Sequence, residues 1–404
     1  MSKKAKVIYI SIIGMSEPLG KSQVLEYLKS LSSYHDLYLH TFEKDTSDVT
    51  INEIKNIMDS YDIKWSFQKY NNKFGLFSSF FQILSSAKLI LDKINSHKID
   101  LIHARSNIPV LIALILKGLT GVKVLFDIRG FQIDEKAEVG RIKKDGLLYK
   151  VLKRMELFAY KKSDTIVSLT ENSKNIISNV TDSSKITVIP TCANKNVFSY
   201  NQDVNFKMEN GYNTTDKVII HAGTVSNWYD FDSELVLIKS LMEKDNTIKL
   251  LILNKGEHNY ILNKLNEYDI EKNKVKVQEV SFYEMHKYLS FADASLFLIK
   301  PTFSKKASAP TKFAENLCCN LFSITNDNIG DMNKFISEYP DVGFSFELGE
   351  IKTNLEKLSS DILIRMNSAS KESKQYQTLY QSHFDGEMAV QRYSELYKKM
   401  ANIT

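Results

Sequence analysis

Short apolar runs rich in β-branched and aromatic residues recur along the chain. Between them lie helix-length segments in which apolar side chains return every third or fourth position. The runs of the first half are VIYISIIG, DLYLHTFE, DIKWSFQ, DLIHARS, KVLFDIRG, DTIVSLT and KITVIP. Runs of this length suit strands buried on both faces, and the segments between them suit crossover helices, so the alternation predicts a parallel sheet covered by helices. The rhythm pauses over residues 194–216, which are polar and asparagine-rich, and resumes with KVIIHAG, IKLLILN, VKVQEV, ASLFLIK, LFSITN and VGFSFEL.

The pattern therefore predicts an α/β chain of two Rossmann-like, doubly wound domains, residues 1–198 and 199–380, followed by a helical tail at 381–404. Tyr376, Tyr380, Phe384, Tyr393 and Tyr397 are the apolar anchors near and within that tail, which is expected to pack back on the N-terminal domain. Doubly wound sheets hold ligands at the carboxyl ends of their strands. Two such domains facing a central cleft would collect their chemistry on strand-end loops.

Composition narrows the class. The chain has 404 residues, 43% of them hydrophobic and 25% charged, which suits globular domains with sizeable cores. Cys192, Cys318 and Cys319 are the only cysteines, too few and too badly spaced for a disulfide framework or a four-cysteine zinc site. The apolar run at residues 7–14 is too short to span a bilayer, and a cytoplasmic protein is expected.

The net charge of +5 suits anionic lipid, phosphorylated substrates or nucleic acid, and its distribution says more than the total. RIKKDGLLYKVLKRMELFAYKK, residues 141–162, mixes basic residues with Leu147, Leu148, Val151, Leu152, Leu157 and Phe158 at helical spacing. Such a helix either turns its apolar face to the core or lies on an anionic membrane. Phe74, Phe77, Phe80, Phe81 and Leu84 pose the same choice on a second helix. No strand-borne pattern of aromatic and basic residues points to nucleic acid.

The loops carry the candidate chemistry. After the first run comes GMSEPLGKSQVLEYL, where Gly20, Lys21, Ser22 and Gln23 open a helix whose free N–H groups suit an anion or a sugar hydroxyl. It is neither G-x-G-x-x-G nor a Walker loop, and Glu43 is the only acidic candidate for a dinucleotide ribose. His103, Arg105 and Ser106 follow one strand, and Asp127, Arg129, Asp134 and Glu135 follow the next. In the second half Gly223, Thr224 and Ser226 end the first strand, where backbone can approach a phosphate.

FSKKASAPTKFAENLCCN, residues 303–320, reads as a short helix capped by Ser308 or Thr311, with Pro310 in its first turn and Asn320 as a left-handed stop. A diphosphate over that N-terminus would gain from the helix dipole and from Lys305, Lys306 or Lys312, while Glu315 could accept ribose hydroxyls. DFD at residues 230–232 resembles a metal-binding pair only superficially.

EPLGKSQVLEYL, IHARSN, DIRGFQIDE, LTENSK, VIPTCANKNVF, FSKKASAPTK and GDM, in this order over nearly the whole chain, resemble a bacterial subgroup of the family 4 retaining glycosyltransferases, which use nucleotide sugars and have the GT-B fold. The resemblance implies that the C-terminal domain binds the activated sugar and the N-terminal domain the acceptor. Glu315 falls at the glutamate that holds the ribose. Ser308, Pro310, Thr311 and Lys312 match the loop that approaches the donor's phosphates or sugar. His103, Arg105, Asp127 and Arg129 match the positions near the transferred sugar.

The resemblance further implies a reaction without metal or cofactor, in which the acceptor hydroxyl attacks on the face the nucleotide leaves. The acceptor would be a glycan or a lipid-linked precursor of lipopolysaccharide, capsule or exopolysaccharide at the inner face of the cytoplasmic membrane. Two features depart from the family pattern. Ala307 stands where many members carry a second glutamate, and Thr224 and Tyr229 stand where many carry an arginine and a lysine. Lys306, Lys312 and Arg129 are then expected to supply the missing positive charge to the leaving diphosphate. A non-catalytic sugar-nucleotide-binding partner and a GT-B nucleotide-sugar epimerase are the alternatives, the latter requiring carboxylates on both faces of the sugar.

Overall fold

The computed structural model describes residues 3–70 and 76–403. Every apolar run became a strand: β1 Lys6–Ser11, β2 Asp36–Glu43, β3 Lys64–Lys69, β4 Leu101–Arg105, β5 Lys123–Asp127, β6 Thr165–Ser168 and β7 Ile186–Val188, then β8 Lys217–Ala222, β9 Ile248–Leu253, β10 Val275–Gln278, β11 Ala294–Phe297, β12 Phe322–Asn326 and β13 Gly343–Phe346. β1 to β7 form one parallel sheet in the order β3-β2-β1-β4-β5-β6-β7, and β8 to β13 form another in the order β10-β9-β8-β11-β12-β13. Both are doubly wound. Their strand order reverses at the β1/β4 and β8/β11 boundaries, where such sheets leave a crevice at the carboxyl ends.

The central strands are buried throughout, as in β4 and β12, because helices cover both faces. The edge strand β3 alternates intermediate and exposed positions.

The chain divides into two compact units, Thr191–Gly386 and the remainder, to which the last residues from Glu387 return. Local bonds account for the division. Ala193 bridges Asp385, its carbonyl accepts from Tyr380 Oη at 3.1 Å, and Phe198 joins the core that holds Phe291, Phe313 and Tyr376. The C-terminal helix Gly386–Met400 makes its contacts in the first unit: Arg392 donates to the Val188 carbonyl at 3.1 Å, and Ser394 Oγ stands 2.8 Å from His35 Nε2.

The basic helix, Leu147–Lys162, turns outward the face that would ordinarily go in. Its buried residues are Glu156, Ala159 and Tyr160, whereas Leu147, Leu148, Val151, Met155 and Phe158 are exposed. Charged groups anchor the inner side: Asp134 accepts from Tyr149 Oη at 2.6 Å and from Lys153, which also donates to Glu156 at 2.6 Å. Among the second set of aromatic residues, Phe74 and the side chains of Phe77, Phe80 and Phe81 lie outside the described residues. Leu84, on the helix Leu76–His97, is exposed.

Candidate functional site

In the second unit the loops after β8, β9, β11 and β12 are laced together by side chains that bond to backbone. Asn254 Nδ2 donates to the Gly223 carbonyl at 3.0 Å and to Glu257 at 2.7 Å, and Glu257 accepts the Val225 N–H. Asn326 pairs with both the N–H and the carbonyl of Ile299. His221 stands 2.7 Å from Glu234 and 3.0 Å from the Thr224 carbonyl. Strand ends fixed in this way form a rigid platform.

On that platform sits the helix Thr311–Cys318, entered from Pro310 without any side-chain cap. Among the described residues Ser308 and Thr311 leave the N–H groups of Thr311 and Lys312 open, the Phe313 N–H goes to the Pro310 carbonyl at 3.1 Å, and Asn320 closes the far end with a φ of 50°. Lys312 reaches back toward Gly223. The glycine has a φ of 107°, and a Cβ there would stand 3.1 Å from Lys312 Cε, so both the backbone conformation and the space call for glycine.

Lys312 Nζ is buried without a hydrogen-bond partner among the described residues and lies 3.8 Å from the centroid of the Tyr229 ring. A ring face holds an ammonium in place without using its N–H donors. One turn on, Glu315 is half-buried, and among the described residues no hydrogen bond or ion pair reaches its carboxylate. Burial pushes its pKa up to about 7, with Lys312 opposing the shift. An uncommitted ammonium, an open helix N-terminus and an uncommitted carboxyl thus share one strand-end platform. Together they suit a ligand that carries both an anion and hydroxyl groups.

The neighbouring lysines separate. Lys305 is buried, its Nζ 3.6 Å from the Trp228 centroid, while Lys306 is exposed near Phe303. Ala307 is fully buried in the turn that precedes Ser308. Asp230 caps its own helix through Ser233, and Asp232 pairs with Lys264 at 2.9 Å, so local structure accounts for the DFD carboxylates.

In the first unit the strand ends of β4 and β5 bring His103, Arg105, Asp127 and Arg129 together. Asp127 is fully buried, with His103 Nε2 at 3.3 Å and Arg105 Nη1 at 3.5 Å from Oδ2, and Arg129 Nη1 at 3.6 Å from Oδ1. Burial alone would raise its pKa, but Arg129, the His103 N–H and Arg105 hold the carboxyl well below the usual range. Burial lowers the pKa of His103, which favours the neutral imidazole, with Asp127 opposing the shift. Ser106 follows with a φ of 79°, a conformation that costs about 1–3 kcal/mol in a non-glycine residue, and its N–H is tied to the Asp127 carbonyl at 2.9 Å.

Tyr9, Tyr393 and Tyr397 surround this cluster, a convergence that local spacing does not predict. Their ring centroids lie 4.1, 5.3 and 5.8 Å from that of His103. Tyr397 Oη stands 2.6 Å from His103 Nδ1 across a separation of 294 residues.

The first loop is held from below by Glu43, which is wholly buried and accepts the N–H groups of Met15 at 2.8 Å and Ser16 at 3.2 Å. Its carboxylate is therefore spent on the loop rather than on a ribose. Gly20 packs against the same loop, and a Cβ there would fall 2.0 Å from the Gly14 carbonyl. Lys21, Ser22 and Gln23 lie in a π-helical turn, Lys21–Leu25, with Gln23 buried and its Oε1 unpartnered. Beside it a cavity of about 360 Å³ is floored by Leu25, Ile54 and Ile57 and rimmed by Lys21, Lys44 and Glu53. Asp134 is committed to Tyr149 and Lys153, as described above, and Glu135 lies in the first turn of the helix Gln132–Glu138.

No protein-family model and no curated protein matches the sequence. Solved structures match its fold end to end. A sucrose-phosphate synthase from Thermosynechococcus elongatus aligns at a TM-score of 0.74 with 12% identity, over 98% of this chain and 99% of that one. Alr3699/HepE of Anabaena, solved in complex with UDP and glucose, aligns at 0.70 with 12% identity, over 97% and 99%. The lipopolysaccharide outer core galactosyltransferase WaaB aligns at 0.66 with 13% identity, over 97% and 99%. With its two parallel sheets of 7 and 6 strands, the chain has the α/β two-domain architecture of GT-B glycosyltransferases.

Proposed function

We propose that the protein is a retaining glycosyltransferase of the family 4 type. It moves a sugar from a nucleotide-diphosphate donor held by the second unit to a glycan or lipid-linked acceptor held by the first. The observation that carries this reading is Lys312, a buried ammonium supported by the Tyr229 ring with its hydrogen-bonding capacity unspent. Glu315 beside it suits ribose hydroxyls. The neighbouring structures with bound UDP or UDP-glucose support the same class of ligand.

In this reading the donor's diphosphate lies over the N-terminus of Thr311–Cys318 against the Gly223 and Thr224 backbone, and Lys312 neutralises the charge that develops as the glycosidic bond breaks. Lys306, at the rim, adds a longer-range positive field. The chain supplies the positive charge itself, so the step needs no metal. The acceptor oxygen approaches the sugar on the face the nucleotide leaves, and the departing phosphate oxygen takes its proton. Arg105 and Arg129 orient the reacting groups, with Asp127 and His103 behind them, and Gly20, Lys21, Ser22, Gln23 and Glu135 border the acceptor.

The outward apolar face of Leu147–Lys162 supports an acceptor presented at an anionic membrane. Arg141, Lys143, Lys144, Lys150, Arg154, Lys161 and Lys162 are exposed around Leu147, Val151 and Phe158, the arrangement of a helix that lies in a headgroup layer. Among the described residues no helix is long and apolar enough to cross a membrane. The proposed setting is the cytoplasmic face of the inner membrane, in the synthesis of lipopolysaccharide, capsule or exopolysaccharide.

Thermal shift against UDP-, GDP-, ADP-, CMP- and TDP-sugars tests the donor reading, since a ligand at one hundred times its Kd stabilises by about 2.7 kcal/mol. One donor should raise Tm, and that rise should be lost in Lys312→Ala. A flat response to all five classes would sink the proposal. Flotation with vesicles containing anionic lipid tests the membrane reading separately: Leu147→Glu/Phe158→Glu should stay with the unbound protein while retaining donor binding.

A further inference from the structure

We propose that Tyr397 is a positioning residue of the first unit, which fixes His103 in one tautomer and, through it, the orientation of the Asp127 carboxylate between Arg105 and Arg129. The inference rests on the reading of those arginines as sugar-transfer groups, and it assigns the C-terminal helix a part in that chemistry.

Hydrogen-bond direction carries the argument. Asp127 is ionised among its cationic neighbours and can only accept, so His103 Nε2, 3.3 Å from its Oδ2, must carry a proton. Because burial favours the neutral imidazole, Nδ1 is then a bare acceptor. Its partner is the Tyr397 hydroxyl at 2.6 Å, a phenol whose pKa burial pushes well above the ordinary value, with Tyr9 and Asp127 adding to the rise. Proton donation therefore runs one way, from Tyr397 Oη to His103 and from His103 to Asp127. All three residues are at most 1% exposed, so water cannot replace a missing member.

The chain matters because of what shares the carboxylate. Arg105 lies against the same oxygen as His103, and Arg129 against the other. If Nδ1 lost its donor, the other tautomer, or a rotated ring, would compete. Either change withdraws the N–H from Oδ2 and lets the carboxylate turn, and both guanidinium groups follow it. Among the described residues Tyr9 and Tyr393 pack against the imidazole without a hydrogen bond to it, so the directional element comes from Tyr397.

The deciding experiment compares Tyr397→Phe with the wild type, both labelled with 15N-histidine. In the wild type His103 should give the signature of a single Nε2–H tautomer, unchanged between pH 7 and 8. In Tyr397→Phe it should become a mixture or begin to titrate, and kcat for sugar transfer should fall on the order of tenfold with the donor KM unchanged. Ser394→Ala, which removes the His35 bond from the same helix, should lower Tm without altering kcat or the His103 tautomer.

A folded Tyr397→Phe with the wild-type tautomer, or with a changed tautomer and full kcat, overturns the inference. A drop in kcat caused equally by Ser394→Ala also overturns it, since helix docking alone would then suffice. If Tyr397→Phe does not fold, 3-fluorotyrosine at position 397 keeps the packing, and the His103 Nδ1 resonance must then move. If the wild type transfers no sugar, the functional proposal fails by itself, and the tautomer comparison still decides whether Tyr397 governs His103.

Discussion

The two units handle buried charge in opposite ways. In the first, Asp127 sits among His103, Arg105 and Arg129, and Tyr397 completes the set from the C-terminal helix. In the second, Lys312 rests on the Tyr229 ring at 3.8 Å with Phe297 farther off at 6.0 Å, and the Glu315 carboxyl has no partner among the described residues. The first arrangement pairs its charges with one another, and among the described residues only Arg105 Nε and Asp127 Oδ1 of the cluster lack a hydrogen-bond partner. The second is an open socket whose desolvation cost a ligand would offset. In the proposed reading, the first unit would orient the reacting groups and the second would spend its binding capacity on the donor.

The contrast predicts different responses to removing one charge. Asp127→Ala leaves two guanidinium groups buried around a hole, and a broken buried network of this kind costs about 3–5 kcal/mol. The denaturation midpoint should fall sharply, and an unchanged midpoint would mean that these ion pairs do not hold the first unit together. Lys312→Ala should do the reverse. Turnover should drop about a hundredfold, or about 3 kcal/mol of transition-state stabilisation, while the stability of the free protein should change by no more than about 1 kcal/mol, the scale of the cation–π contact that is lost. A large loss of stability would place Lys312 with the structural group.

Glu315→Gln should be milder. Donor affinity should fall by about 1–3 kcal/mol if charged hydrogen bonds to ribose are removed. The sign of its pH dependence follows from the raised pKa. Between the ordinary carboxyl value of about 4.3 and about 7, the folded state holds a proton that the unfolded chain releases, so stability declines as pH climbs through that window. Glu315→Gln should therefore raise the Tm of the free protein at pH 8 and leave it nearly unchanged at pH 5. Smallest of all is Tyr229→Phe, which keeps the ring face and should leave donor affinity intact, whereas Tyr229→Ala should lower it several-fold by releasing Lys312.

Much of the fold was legible because strand burial on both faces writes itself as continuous apolar runs. DLYLHTFE became β2 over its full length, and FSKKASAPTKFAENLCCN became a turn, a helix from Thr311 and a left-handed Asn320. The capping was less legible: Ser308 and Thr311 are suitable residue types, yet neither side chain caps the helix. The order of lysines could not be read at all. Lys305 and Lys306 are adjacent in a 3-10 turn, and tertiary packing, with Lys305 against Trp228, buries the first and leaves the second exposed.

The basic helix teaches the same lesson from the other side. Its spacing announced an amphipathic helix and left both orientations open. Asp134, one of the polar residues after β5, holds the inner face through Tyr149 and Lys153, and this sends Leu147 and Phe158 outward. The pairing is beyond periodicity because it joins the start of one helix to the middle of another.

By itself, then, the amino-acid order determined the strands, the doubly wound pattern and the residue types at the strand ends, since these depend on local spacing and on apolar runs long enough to be buried. The tertiary structure decided which of those residues are spent and which are available. Glu43 is consumed by the first loop, Asp127 is shared among three partners, and Lys312 and Glu315 are left uncommitted. It also brought Tyr397 to His103 from the far end of the chain. Desolvation and hydrogen-bond direction depend on neighbours in space, and those neighbours are set only when the sheets and the last helix come together.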